Sequence, residues 1–134
     1  MTDYTSSITL DLAPEEAEPA IRQALADEGF GILTEIDMQS TMKAKLDEDL
    51  PYYRILGACN PPLALRALQA DPDIGALLPC NVVVRAHPDG GTDVLAVDPM
   101  AMLRMSPVKE LNDVASDAAD RIGRALDALA APTT

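Results

Sequence analysis

The stretch that most constrains the fold is "CNVVVRAHPDGGTDVLAVD", Cys80 to Asp98. Two apolar runs rich in β-branched residues flank Pro88-Asp89-Gly90-Gly91. An Asp-Gly pair between such runs is a strong hairpin signal. A hairpin makes its two strands antiparallel, so the sheet is at least partly antiparallel. A doubly wound parallel sheet is excluded, and the class is α+β.

The other elements follow from periodicity and punctuation. Ile8, Leu10 and Leu12 alternate with polar residues, the period of a half-buried strand. Pro14 suits a first helical position, and Ala17, Ala20, Ile21, Ala24 and Leu25 form an apolar stripe ahead of a glycine C-cap at Gly29. "GILTEID" (31–37) reads as a strand, with Glu35 and Asp37 on one solvated face opposite Phe30, Ile32 and Ile36. Met38, Met42 and Leu46 predict a short amphipathic helix. "YYRILGAC" is a mostly apolar, central strand. Asn60-Pro61 and Asp71-Pro72 are two successive helix starts, so the segment between that strand and Cys80 is two helical pieces. A short helix follows Asp98-Pro99. Ser106-Pro107 opens a long amphipathic helix over about 107–130, carrying Val108, Leu111, Ala118, Ile122 and Leu129 at helical spacing. The order is β-α-β-α-β-αα-β-β-α-α, a single domain over 1–134 with no internal repeat.

Composition narrows the function classes. The chain has 134 residues, suited to one core. Hydrophobic residues make up 48%, with only 3% aromatic, no Trp and one Phe, so the core is aliphatic and Met-filled. The net charge of −12 argues against nucleic acid, whose phosphates need clustered Lys and Arg, and against anionic membrane surfaces. "MTDYTSSITLDL" has no basic, apolar signal pattern, and no segment approaches the ~20 apolar residues that span a bilayer. A soluble, cytoplasmic protein is expected, with its two cysteines as free thiols.

Those cysteines raise the functional question. Cys59-Asn60 ends one strand and Cys80-Asn81 begins the next. A single crossover helix would put the pairs at opposite ends of parallel strands, roughly 20 Å apart. Two short helices, one out and one back, bring both pairs to the same end of an antiparallel sheet. A disulfide would need Cα atoms within ~7 Å. Cys80 shares its strand face with Val82 and Val84, while Asn81 shares the other with Arg85 and His87. Free cysteine commonly behaves as a small buried hydrophobe, and Asn60 is accounted for as a cap. The sharper alternative is a thiol site framed by two asparagine amides, which offer donors and acceptors to a small polar ligand.

Other chemistry is sparse. Two thiolates fall short of the four ligands of a closed tetrahedral metal site, there is no CxxC, and His87 reads as an exposed strand-end residue, so no metal site is assigned. Nothing resembles GxSxG or a phosphate loop. Arg54, one of ten basic residues, is a candidate anchor for an anion or carboxylate, or one half of an ordinary ion pair. Tyr52 and Tyr53 could flank a pocket, with at least one packed in the core.

Three longer runs carry a resemblance: "DEGFGILTEID", "YYRILGACNPPLALRALQADPDIGALLPCNVVV" and "AVDPMAML". Together, from about residue 8 to about 129, they resemble the prokaryotic domain-of-unknown-function family 302. The resemblance implies a TATA-binding-protein-like β-α-β-sheet-α arrangement, a mostly antiparallel five-stranded sheet backed by helices. It also implies a homodimer. It supplies no reaction and no cofactor for the matching positions Phe30–Asp37, Arg54–Pro62 and Leu78–Val84. The acidic, alanine-rich tail from Ser106 to Ala131 departs from a minimal member of the family, and either its own sheet or a partner can receive it.

Three readings result. The first is a non-enzymatic binding module with a small-ligand pocket formed by Cys59, Asn60, Cys80, Asn81 and Arg54. The second is a thiol redox or soft-metal-handling protein using Cys59 and Cys80. The third is a structural homodimer whose final helix buries its stripe against a second copy.

Overall fold

The computed structural model describes residues 2–131. Five strands form one sheet, β1 (Thr5–Leu10), β2 (Gly31–Asp37), β3 (Tyr53–Cys59), β4 (Cys80–Ala86) and β5 (Thr92–Val97). Their order is β1-β5-β4-β3-β2, and every neighbouring pair is antiparallel. The hairpin read from Asp89-Gly90 is β4–β5, which pairs Val84 with Val94. The α+β class and the antiparallel five-stranded sheet are both present.

The helices are α1 (Pro14–Asp27), α2 (Met38–Leu46), α3 (Pro61–Ala70), α4 (Pro99–Leu103) and α5 (Leu111–Ala130). Their starts follow the sequence signals. Asp37, Asn60 and Asp98 each accept a backbone N–H of the helix that follows, and Asp71 does the same for a 3₁₀ turn at Pro72–Leu77. Such caps satisfy donors that a helix N-terminus leaves orphaned. Gly29 follows the end of α1 at φ +87°, a left-handed conformation that suits glycine. Among the described residues no helix is long and apolar enough to cross a membrane.

One face of the sheet packs on α1 and α5. Leu56, Val82, Val84 and Val94, at 0–1% exposure, meet Ile21, Leu25, Ile122 and Leu126 there. Each such aliphatic side chain contributes about 1.5–3 kcal/mol by leaving water. A second buried cluster joins Leu63 and Ala67 of α3 to Ile74, Leu103, Leu111, Val114 and Ala118. The stripe of α5 is therefore consumed inside the chain. The tail packs on its own domain, and the expectation that this helix buries its stripe against a second copy is corrected.

Three local expectations also change. The last helix begins at Leu111, not near 107, because Ser106 holds the preceding turn: its Oγ accepts from Val108 N at 3.2 Å and donates to Asp71 at 2.7 Å. The stripe of α2 is not buried, and Leu46 stays 65% exposed. A bulge between Ile32 and Thr34 shifts the β2 register and puts Ile32 and Glu35 on the same face of the sheet, paired with Ala58 and Leu56. Glu35 and Asp37 thus lie on the helix-side face, where they pair with Arg54.

Candidate functional site

The antiparallel pairing of β3 with β4 sets Ala58 opposite Cys80. Cys59 and Cys80 therefore lie at the same end of the sheet, as the two-helix connection requires. A cleft of 270 Å³ opens there, where the two buried clusters meet. Phe30 and Ala58 bound it from the sheet side, and Leu63, Ala67, Val114 and Ala118 from the helices. Both cysteines and Met102 also line it. At its rim stand Leu33, 68% exposed, and Leu68, 41% exposed. Among the described residues no charged side chain lines the cleft, and Asn60 is its one polar amide.

The Asn60 amide is engaged at both ends. Its Oδ1 accepts from Leu63 N at 3.3 Å, capping α3, and its Nδ2 donates to the Glu28 carbonyl at 3.4 Å. Arg121 of α5 donates to the same carbonyl at 3.2 Å. Asn60 thus ties the end of α1 to the β3–α3 corner, and Arg121 brings α5 to the same carbonyl. A Cβ at Gly29 would stand 2.8 Å from Asn60 Nδ2, so glycine is needed there for contact as well as for conformation.

The cysteines are free thiols. Burial, with a smaller contribution from Cys59 nearby, pushes the Cys80 thiol up to about 11. A thiol so held is a poor nucleophile at neutral pH, because the thiolate is the reactive form. Among the described residues, no third His, Asp, Glu or Cys stands with them.

Two residues expected at this site lie elsewhere. Asn81 is exposed on the opposite face of the sheet, where it lines a second depression, of 640 Å³, with Tyr53, Val83, Arg85 and Leu95. Strand alternation forces this, since Cys80 and its successor must point to opposite faces. Arg54 is on the helix-side face but at the other end of β3, about 16 Å along the strand from Cys59. It is surrounded by acceptors: Glu35 at 2.6 Å, Glu18 at 3.5 Å and Asp37 at 3.8 Å. Its guanidinium lies 5.2 Å from the Tyr52 ring centroid, and Tyr52 donates to Glu18 at 2.9 Å. Burial first, and then the Glu18 hydrogen bond, push the Tyr52 hydroxyl up to about 12. Arg54 is one half of an ion-pair network joining α1, β2 and β3, with its charge already met by carboxylates.

Sequence reading missed a second polar cluster. Asp93, 7% exposed, accepts from Thr9 Oγ1 at 2.8 Å and Arg85 Nε at 3.1 Å, and His87 Nδ1 lies 2.8 Å away. His87 is thus a partner of Asp93 and not a free strand-end residue. Burial works against the Asp93 carboxylate, but these three hydrogen bonds outweigh it and hold its pKa below the ordinary value. The cross-strand pair Arg85–Asp93 was available from the hairpin register.

A search of curated proteins returns no match. Among solved structures, the crystal structure of the uncharacterized conserved protein DUF302 from Bacillus stearothermophilus is similar. It shares 25% identity and superposes with a TM-score of 0.87, covering 96% of this chain and 99% of that one. The family described as Domain of unknown function DUF302 matches residues 6–129, nearly the whole chain, and the protein belongs to that family.

Proposed function

We propose that this chain is a small-ligand binding module whose site is the cleft beside Cys59, Asn60 and Cys80. The observation that carries this is an apolar space of 270 Å³ at the seam of the two core clusters. Protein interiors are close-packed, with few voids larger than a water molecule. Apolar, concave spaces with few polar groups are the common form of small-molecule sites. A thiol redox or soft-metal role is less supported, because burial keeps Cys80 protonated and, among the described residues, no group of three potential metal ligands forms.

A fragment screen by thermal denaturation tests the binding reading. Ligand at about 100 times its Kd stabilises by about 2.7 kcal/mol, or about 10 °C in a domain of this size. Ala64 is half-buried on α3 and lines the cleft, so Ala64→Leu narrows it. Hits are expected to lose their effect on that variant. Hits that act equally on Ala64→Leu would remove the cleft as the site.

A homodimer formed through the other face of the sheet is a second reading. The register aligns Leu95, Val83, Ile55 and Ile36 in one apolar row across four strands of that face. The charged strand residues on it, Arg85 and Asp93, pair with each other. Two copies of a chain of net charge −12 can therefore meet there without opposing like charges. Light scattering at micromolar concentration should give twice the monomer mass, and Val83→Lys should give the monomer. A wild-type monomer would refute it.

A further inference from the structure

The lining of the cleft also restricts what can enter it, a restriction that rests on the cleft being a binding site. Charge comes first. Among the described residues the only polar amide at the cleft is Asn60, which is committed to Leu63 and Glu28. A carboxylate or ammonium in the cleft would lose its hydration with no partner, which is strongly unfavourable. The ligand therefore carries no charge.

Size comes next. An engineered apolar cavity of about 150 Å³ takes up benzene. On that scale the 270 Å³ of this cleft corresponds to about 11 non-hydrogen atoms. Shape and polarisability come last. Two sulfur-bearing side chains, Cys80 on β4 and Met102 on α4, line the cleft together with Phe30, and Cys59 borders it at the end of β3. Sulfur makes favourable contacts with aromatic rings, and one ring packs well against another in offset or edge-to-face geometry. A saturated molecule of equal size gains neither.

We infer that the cleft takes an uncharged aromatic compound of about ten non-hydrogen atoms, the size of a fused two-ring system. The rings enter past Leu33 and Leu68 and lie between α3 and the end of the β3–β4 pair.

Four probes test this on the 134-residue chain: naphthalene, 2-naphthoate, decalin and Cu(I). The chain has no Trp, so naphthalene emission is read against three tyrosines only, and thermal denaturation reads all four probes. Naphthalene should bind and raise the melting temperature. 2-Naphthoate should bind at least about 30-fold more weakly, because its charge has no partner. Decalin should bind about fivefold more weakly, because it lacks the ring contacts to sulfur. Ala64→Leu should abolish the naphthalene shift. Independently of any variant, naphthalene should slow alkylation of Cys59 by iodoacetamide in the wild-type protein.

If decalin or 2-naphthoate binds as tightly as naphthalene and still depends on Ala64, the aromatic, uncharged class is wrong and the binding reading survives. If Cu(I) alone stabilises, and Cys59→Ser removes its effect, the class inference is overturned in favour of a soft-metal site. If none of the four shifts the melting temperature or protects Cys59, the ligand class and the binding reading both fall.

Discussion

Replacing Asn60 separates structural from ligand-binding use of the two Cys-Asn pairs. Asn60→Ala removes the acceptor that caps α3 at Leu63 N, 3.3 Å away, and the donor to the Glu28 carbonyl. Glu28 O keeps its bond from Arg121, so the loss falls mainly on the cap. Loss of an asparagine N-cap costs about 1 kcal/mol. The Leu63 N–H is buried with it, and an unsatisfied buried donor adds about another 1 kcal/mol. The sum of about 2 kcal/mol lowers the melting temperature by about 8 °C. Asn60→Asp keeps the acceptor and should recover about half of that. Asn81→Ala, on an exposed residue of the opposite face, should stay within about 0.5 kcal/mol. Urea unfolding followed by far-ultraviolet circular dichroism measures all three. Equal costs for Asn60→Ala and Asn81→Ala, or a cost for Asn60→Ala within about 0.5 kcal/mol, would refute the separation.

Further expectations concern packing, pH and thiol chemistry. A Cβ at Gly57 would collide with Thr34 Oγ1 and stand 2.7 Å from Pro79 Cγ, so Gly57→Ala should cost about 1–3 kcal/mol in urea unfolding; a neutral result would contradict the close approach of β2 and Pro79 to β3. Asp93 has a folded-state pKa below its unfolded value, so its contribution is present above about pH 4 and is lost as pH falls through the folded value. Asp93→Asn should therefore be less stable at pH 7 and show a flatter decline in acid; an unchanged acid profile would dismiss the cluster. With its thiol pushed up to about 11, Cys80 should react with iodoacetamide at pH 8 far more slowly than a free thiol and react fully in denaturant. Equal native and denatured rates for Cys80 would contradict a thiol held protonated by its surroundings.

Local chemistry is what the sequence made legible. The Asp-Gly turn, the Asn60-Pro61 and Asp71-Pro72 starts and the alternation of β4 each act over a few residues, and each appears where expected. From them the antiparallel sheet and the shared end of Cys59 and Cys80 follow. Two failures are non-local. The bulge at Leu33 adds one residue to β2 and inverts which face Glu35 and Ile36 occupy, with no special residue to announce it. The start of α5 depends on a Ser106–Asp71 bond across 35 positions. Arg54 and Cys59 belong to one strand, yet strand length puts them at opposite ends. Asn81 is the instructive case. The alternation that places Cys80 with Val82 and Val84 also places Asn81 with Arg85 and His87, on the far face. The likeness of the two Cys-Asn pairs hides that geometry, although one asparagine is a buried cap and the other is exposed.

Amide chemical-shift mapping of the isotope-labelled protein during a naphthalene titration tests the binding site most directly. The expected result is saturable shifts concentrated at Ala58, Cys59, Leu63, Ala67 and Ala118, around the cleft, with Val83 and Leu95 on the opposite face unmoved. Shifts centred on Val83 and Leu95, or no saturable shift at the cleft residues, would contradict the assignment of the cleft as the ligand site.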